Sequence, residues 1–185
     1  IIKVGREAKS FKASKEFSNF YENYSKDKIE KELEFEETVK NTLDRFNNLS
    51  KEAIEYPSGL KMIISETKNG EKPKNGNSVR VHYAGYFSNG ELFDTSMKEV
   101  AITNQKYSKS KDDQERYEAF SVTYGPEAEL IPGFKEGLQK MKIGDKAVLF
   151  IPSHLAYGSQ GAGGVIPPNT NLVFELELVG FEKDF

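Results

Sequence analysis

Two histidines, many carboxylates, one glycine-rich run and a set of aromatic residues beside turns are the groups through which this chain could do chemistry. Nucleophilic catalysis needs a hydroxyl or thiol beside a base. His82 sits between Val81 and Tyr83, and His154 lies in Pro152-Ser-His-Leu-Ala-Tyr-Gly158. Neither belongs to a nucleophile elbow, so structural or solvent-facing roles are expected for both. Glu127 and Glu129 could pair as acid and base, but a chain with 29 acidic residues makes such pairs by chance, and solvation is expected. Gly161-Ala-Gly-Gly164 invites a phosphate-loop reading, yet Val165-Ile-Pro-Pro168 follows where a helix should begin. Without Cys there is no thiolate, disulfide or Cys-ligated metal, and two His do not make a multi-histidine site. No metal and no cofactor are expected. A net charge of −3 offers no general attraction for nucleic acid or for an anionic membrane, so neither is an expected partner. No apolar run approaches the roughly 20 residues of a membrane span, and no leader of the usual kind opens the chain. It begins at Ile1 rather than Met, so an upstream portion is expected to have been removed. The compartment is left open, with the cytoplasm favoured over the periplasm.

What remains is aromatic and apolar material near turns: Tyr83, Phe93-Asp94, Phe120, Ile131-Pro-Gly-Phe134, Tyr157-Gly158, Ile166-Pro-Pro168 and Phe174. The elements that must carry it follow from periodicity. Phe35, Val39, Leu43, Phe46 and Leu49 recur at helical steps in a Glu- and Lys-rich stretch. A second aromatic set, Phe17, Phe20, Tyr21 and Tyr24, follows Ser14, a candidate N-cap, so one or two helices are predicted between Ser14 and Ala53. Past Tyr56-Pro-Ser-Gly59 the pattern turns to strands: 60–66, 78–87, 91–93, 120–124, 146–152 and 171–180. Asn89-Gly90 predicts a type I′ hairpin. Leu172, Phe174, Leu176 and Leu178 share one face, and the helical pattern at 131–141, with Pro132 at its start and Gly144 closing it, predicts the helix that covers that face. The stretch 98–118 is poor in apolar residues and reads as a surface insertion. The fold class is therefore α+β, with an antiparallel sheet burying one face on a short helix.

Read in order, His82-Tyr-Ala-Gly85, Gly90-Glu-Leu-Phe-Asp-Thr-Ser96, Leu130-Ile-Pro-Gly-Phe-Lys-Glu-Gly137, Met141-Lys-Ile-Gly-Asp-Lys146, Ile151-Pro-Ser-His-Leu-Ala-Tyr-Gly158, Val165-Ile-Pro-Pro168 and Leu172-Val-Phe-Glu-Leu-Glu-Leu178 resemble an FKBP-type peptidyl-prolyl cis/trans isomerase over about residues 59–185. The resemblance implies a half-barrel antiparallel sheet wrapped around one short helix, with a helical segment or linker over 1–57 before it. Domain boundaries are expected at 1–57 and 58–185, with an insertion at about 97–119. It implies an aromatic pocket walled by Tyr83, Phe93, Phe120 and Phe174 and floored by Phe134. Leu130 and Ile131 line the approach, the Ile131 N–H and the Tyr157 hydroxyl meet substrate carbonyls, Asp94 pairs with Tyr83, and Val165 and Ile166 form a flap. Phe93, Asp94 and Tyr157 are the expected catalytic residues. Proline-containing polypeptides are the implied substrates, FKBP-directed macrolides the implied inhibitors, and assistance to protein folding the implied role.

The chain departs from the family's pattern in three places. Phe134 stands where the family usually has Trp. The Arg that often follows the Phe-Asp pair is replaced by Ser96-Met-Lys98 and the insertion, and Arg116 cannot be assigned to its role. Ala162 stands where a flap His is common. The rival reading is a binding or chaperone module that keeps the pocket without much catalysis. Residues 1–11 resemble the last strand and tail of a cyclophilin-type domain, implying a longer bacterial protein with two isomerase domains.

Overall fold

The computed structural model describes residues 2–182, with side chains from residue 15 onward. The chain divides into two compact units, residues 1–38 and 39–185. Helix α1 (Ile2–Glu52) runs through the first and into the second. Of the one or two helices predicted there is one, and it passes through Ser14, the candidate N-cap, without a break. Backbone from Ile2 onward is helical, not the strand that the likeness of 1–11 implied; Ile1 and those side chains lie outside the described residues. Continuous Glu, Lys, Asn and Ser without proline let the helix extend. Within the first unit Phe17 meets Tyr21 at 5.0 Å and Phe20 stacks on Tyr24 at 6.3 Å between ring centroids, and these rings are exposed. Among the described residues, no helix is long and apolar enough to cross a membrane.

The second unit is built on an antiparallel sheet of β1 (Ile54–Glu55), β2 (Lys61–Glu66), β3 (Ser78–Phe87), β4 (Leu92–Thr95), β5 (Phe120–Thr123), β6 (Lys146–Ile151) and β7 (Leu172–Phe181). Strands lie in the order β1-β2-β6-β7-β3-β4, and β5 pairs with the first half of β3. Short helices α2 (Lys98–Thr103) and α3 (Lys109–Asp113) lie in the insertion, and α4 (Pro132–Leu138) crosses the sheet. Alternation sorts the side chains. Val79, Val81, Leu149, Ile151, Leu172, Leu176 and Leu178 form the main core with Phe134, Leu138 and Met141. Helix α4 approaches closely because Gly133 and Gly137 face β6: a Cβ at Gly137 would lie 2.1 Å from Leu149 Cδ2.

The other face of the sheet is covered as well, contrary to the single buried face expected. Phe46 and Leu49 of α1 pack with Ala84, Tyr86, Leu92, Val148 and Val173 in a second cluster. Arg45 binds Glu175, which also accepts the Tyr86 hydroxyl at 3.0 Å. The unbroken apolar run Ala147-Val-Leu-Phe-Ile151 is the sequence mark of a strand buried on both faces.

Two local predictions change. At the β3–β4 turn, Gly90 N–H bonds Phe87 C=O at 3.0 Å and Gly90 alone has positive φ, +92°. That is a type I turn followed by a left-handed glycine, not type I′. A Cβ at Gly90 would lie 2.7 Å from Val39 C=O, so the glycine also lets the turn meet α1. Helix α4 ends at Leu138, before Gly144, whose N–H bonds Leu178 C=O at 2.7 Å in a later turn.

Candidate active site

Between α4, the insertion and the concave face of the sheet lies a cavity of about 670 Å³. Tyr83 comes from β3, Phe93 and Asp94 from β4, Phe120 from β5, Leu130 and Ile131 from the loop before α4, Phe134 from α4, and Phe174 from β7. Their rings form a connected box. Phe174 meets Phe134 at 5.4 Å, Phe93 at 5.7 Å and Tyr83 at 6.4 Å; Phe120 meets Tyr83 at 5.6 Å and Phe134 at 6.2 Å. Tilted and edge-on contacts of this kind suit aromatic quadrupoles. Tyr157, on the rim, is 37% exposed, and its hydroxyl has no partner among the described residues. The same holds for the Ile131 N–H, just ahead of the donor-less Pro132.

Gly85 is what lets the box close. On β3 it faces the rings, and a Cβ there would lie 2.5 Å from Phe93 Cζ and 2.9 Å from Phe174 Cε1. Gly85→Ala is expected to push Phe93 outward and cost about 1–3 kcal/mol by overpacking; denaturant melts check it.

Asp94 is the polar centre of the wall. Its Oδ2 accepts the Tyr83 hydroxyl at 2.5 Å, and its Oδ1 accepts from Lys111 Nζ at 2.7 Å. Burial alone would raise the carboxyl pKa; the hydrogen bonds from Lys111 and Tyr83 and the Lys111 charge outweigh it, so Asp94 sits below the usual carboxylate range. Burial first, then the Asp94 bond, pushes the Tyr83 phenol well above its ordinary value. Tyr83 is therefore a neutral donor and Asp94 an ionised acceptor, and neither is free to act as a base near neutrality.

The sequence-predicted residues meet here with two exceptions. Ile166 turns into the main core because its N–H and C=O bridge to Ala162, and Val165, 58% exposed, stands at the tip of that turn. Neither lines the cavity, so the expected flap contacts of Val165 and Ile166 are corrected. Lys111 was not foreseen. It comes from α3, and Glu115, Arg116, Glu118 and Ala119 from the segment after it, so the insertion forms one wall of the cavity. Its only sequence signal is Ser108, which caps α3 by accepting the Lys111 backbone N–H. His82 Nδ1 lies 3.0 Å from Ser96 Oγ, and His154 Nε2 3.0 Å from Ser58 C=O, the structural roles expected of them. Glu127 and Glu129 are exposed, with Glu129 at the cavity mouth.

Comparison with known proteins agrees with this geometry. The family model described as FKBP-type peptidyl-prolyl cis-trans isomerase matches residues 69–179. FK506-binding protein 1 of Dictyostelium discoideum is 38% identical over 124 residues, 67% of this chain and 99% of that protein. The FKBP-type peptidyl-prolyl cis-trans isomerase FkpA of Aeromonas hydrophila is 37% identical over 137 residues, 74% of this chain and 43% of its own length. Among solved structures, AtFKBP13 superposes with a TM-score of 0.55 at 29% identity, covering 69% of this chain and 97% of that one. FkpA from Escherichia coli gives the same TM-score and identity, covering 82% and 64%. With the matched region carrying strands β3 to β7, the crossing helix and the aromatic box, the chain belongs to the FKBP-type peptidyl-prolyl cis-trans isomerase family.

Proposed function

We propose that the aromatic cavity binds a proline-containing segment of a polypeptide and accelerates rotation about its Xaa-Pro bond by desolvation and by holding the flanking peptide groups. The observation that carries this reading is an apolar box with two unpaired hydrogen-bond donors, the Ile131 N–H and the Tyr157 hydroxyl, at its edge. The isomerase domain is taken as 58–185, with 97–119 inserted in it and 1–57 preceding it. Rotation is slow because the planar amide must lose resonance, at about 18–20 kcal/mol. The twisted amide is less polar than the planar one. A pocket of rings that replaces water therefore favours the transition state over the hydrated ground state. Lowering the barrier by about 6 kcal/mol gives roughly 10⁴-fold acceleration. The two donors fix one side of the prolyl bond while the other turns. Asp94 keeps the Tyr83 wall in place.

Cis/trans exchange of a short Xaa-Pro peptide tests the reading. The chain accelerates exchange, an FKBP-directed macrolide abolishes the acceleration, and Tyr157→Phe lowers kcat/KM about 3–10-fold, the worth of one hydrogen bond. A folded sample that leaves the exchange rate unchanged replaces this reading with that of a binding module.

A further inference from the structure

The geometry points to Lys111, carried into the wall by the insertion, as the positioning residue that fixes the Asp94 carboxylate and thereby holds Tyr83 in the cavity wall. The inference rests on the isomerase reading above. Lys111 Nζ donates to Asp94 Oδ1 at 2.7 Å and to Thr95 C=O at 2.5 Å. Its side chain is only 15% exposed, while Asp94 is 48% exposed. A lysine gives up most of its hydration at such a site only when its protons are taken, and here they are.

The insertion is built to hold it there. Ser108 caps α3. Asp112 accepts Lys98 Nζ and the Tyr107 hydroxyl, each at 2.6 Å. Tyr107 stacks on Tyr117 at 5.9 Å, and Lys111 Nζ lies 5.1 Å above the Tyr117 ring. Tyr117 in turn receives the Ser108 N–H on its hydroxyl at 2.9 Å. The segment 98–118, poor in apolar residues, thus spends its polar groups on fixing one ammonium against one carboxylate.

The consequence is a pH dependence with a definite sign. Burial is the largest influence on Asp94 and acts upward; the Lys111 hydrogen bond is the first of the influences that oppose it, ahead of the Tyr83 bond. Without Lys111 only the Tyr83 bond and the Thr95 backbone bond remain to oppose burial, and the Asp94 pKa rises. The groups around Asp94 are Tyr83 on β3, Lys111 on α3, Arg116 and Glu115 after α3, Glu129 before α4 and Tyr157 across the cavity. His82 stands next to Tyr83 but is bonded to Ser96. The wild type has every one of these as well, so an acid limb that appears only in the variant belongs to the missing lysine.

The experiment measures kcat/KM of the full chain on an Xaa-Pro peptide from pH 5 to 8. Wild type stays flat on the acid side as far as Asp94 is concerned. Lys111→Met falls about threefold at pH 8 and further as the pH is lowered to 5, the direction in which Asp94 takes up a proton once its lysine partner is gone. Lys111→Arg recovers the flat profile, and Lys109→Ala, whose Nζ pairs with Asp113 on the exposed side of α3, leaves it unchanged. In the Asp94→Asn background, Lys111→Met adds no further loss. The inference is overturned if Lys111→Met matches wild type, if its loss is equal at every pH, or if Lys111→Arg behaves like Lys111→Met. Wild-type-like activity in both Asp94→Asn and Tyr83→Phe would instead overturn the role given to Asp94, leaving the isomerase reading to the wild-type assay.

Discussion

Phe93→Ala is expected to lower kcat/KM for Xaa-Pro exchange about 100-fold while costing little of the fold. The ring touches Phe174 at 5.7 Å inside the cavity and Phe87 at 5.2 Å outside it. Removing it opens the wall at β4 and admits water to the prolyl amide, so the ground state regains hydration that the transition state does not need. A loss of about 2.7 kcal/mol from a barrier reduction of about 6 corresponds to that factor. Phe93 is only partly buried, so the stability cost stays near 1–2 kcal/mol, below the usual range for a core phenylalanine. Phe87→Leu is the matched comparison, because Phe87 packs on the same ring from outside the cavity. It should cost similar stability and less than threefold in activity. Stopped-flow or exchange spectroscopy with denaturant melts decides it. Equal activity losses in the two variants would mean that packing, not desolvation, sets the rate.

The contrast between Phe93 and Lys111 shows what was legible in the sequence. Phe93, Asp94, Ile131, Phe134, Tyr157 and Phe174 stand in blocks whose order resembles the FKBP-type family, and it was that resemblance that implied their convergence. Lys111 stands in a stretch with Lys98, Lys106, Lys109 and Arg116, all equally able to reach a carboxylate on paper. Only the backbone of α3, capped by Ser108, selects among them. Val165 and Ile166 failed for the opposite reason: the block was legible, but the bridge between Ala162 and Ile166 that turns one residue inward is a property of the loop. The second covered face was written in Val148, Phe150, Val173 and Tyr86, apolar residues on what a one-sided sheet would have left polar.

That second face sets the other large effect. Phe46 of α1 is 3% exposed, edge-on to Tyr86 at 5.1 Å and to Phe150 at 6.2 Å between centroids. Phe46→Ala removes a buried aromatic where the sheet cannot collapse to fill the gap, a loss of about 3–5 kcal/mol. Against a total of about 5–15 kcal/mol for an ordinary domain, that is a large fraction. A chain of this size loses roughly 2–4 °C per kcal/mol, so the melting temperature should drop by about 10 °C. Activity should not follow. Tyr86 and Val173 alternate with Gly85 and Phe174 on their strands, so the cluster under α1 and the aromatic box lie on opposite faces of the same sheet. At a temperature where both proteins are folded, kcat/KM of Phe46→Ala is expected within twofold of wild type. Calorimetry and peptide exchange on the same preparations separate the two quantities. A fall in kcat/KM as steep as that of Phe93→Ala, with the fold intact, would show that α1 shapes the cavity through the sheet rather than only stabilising it.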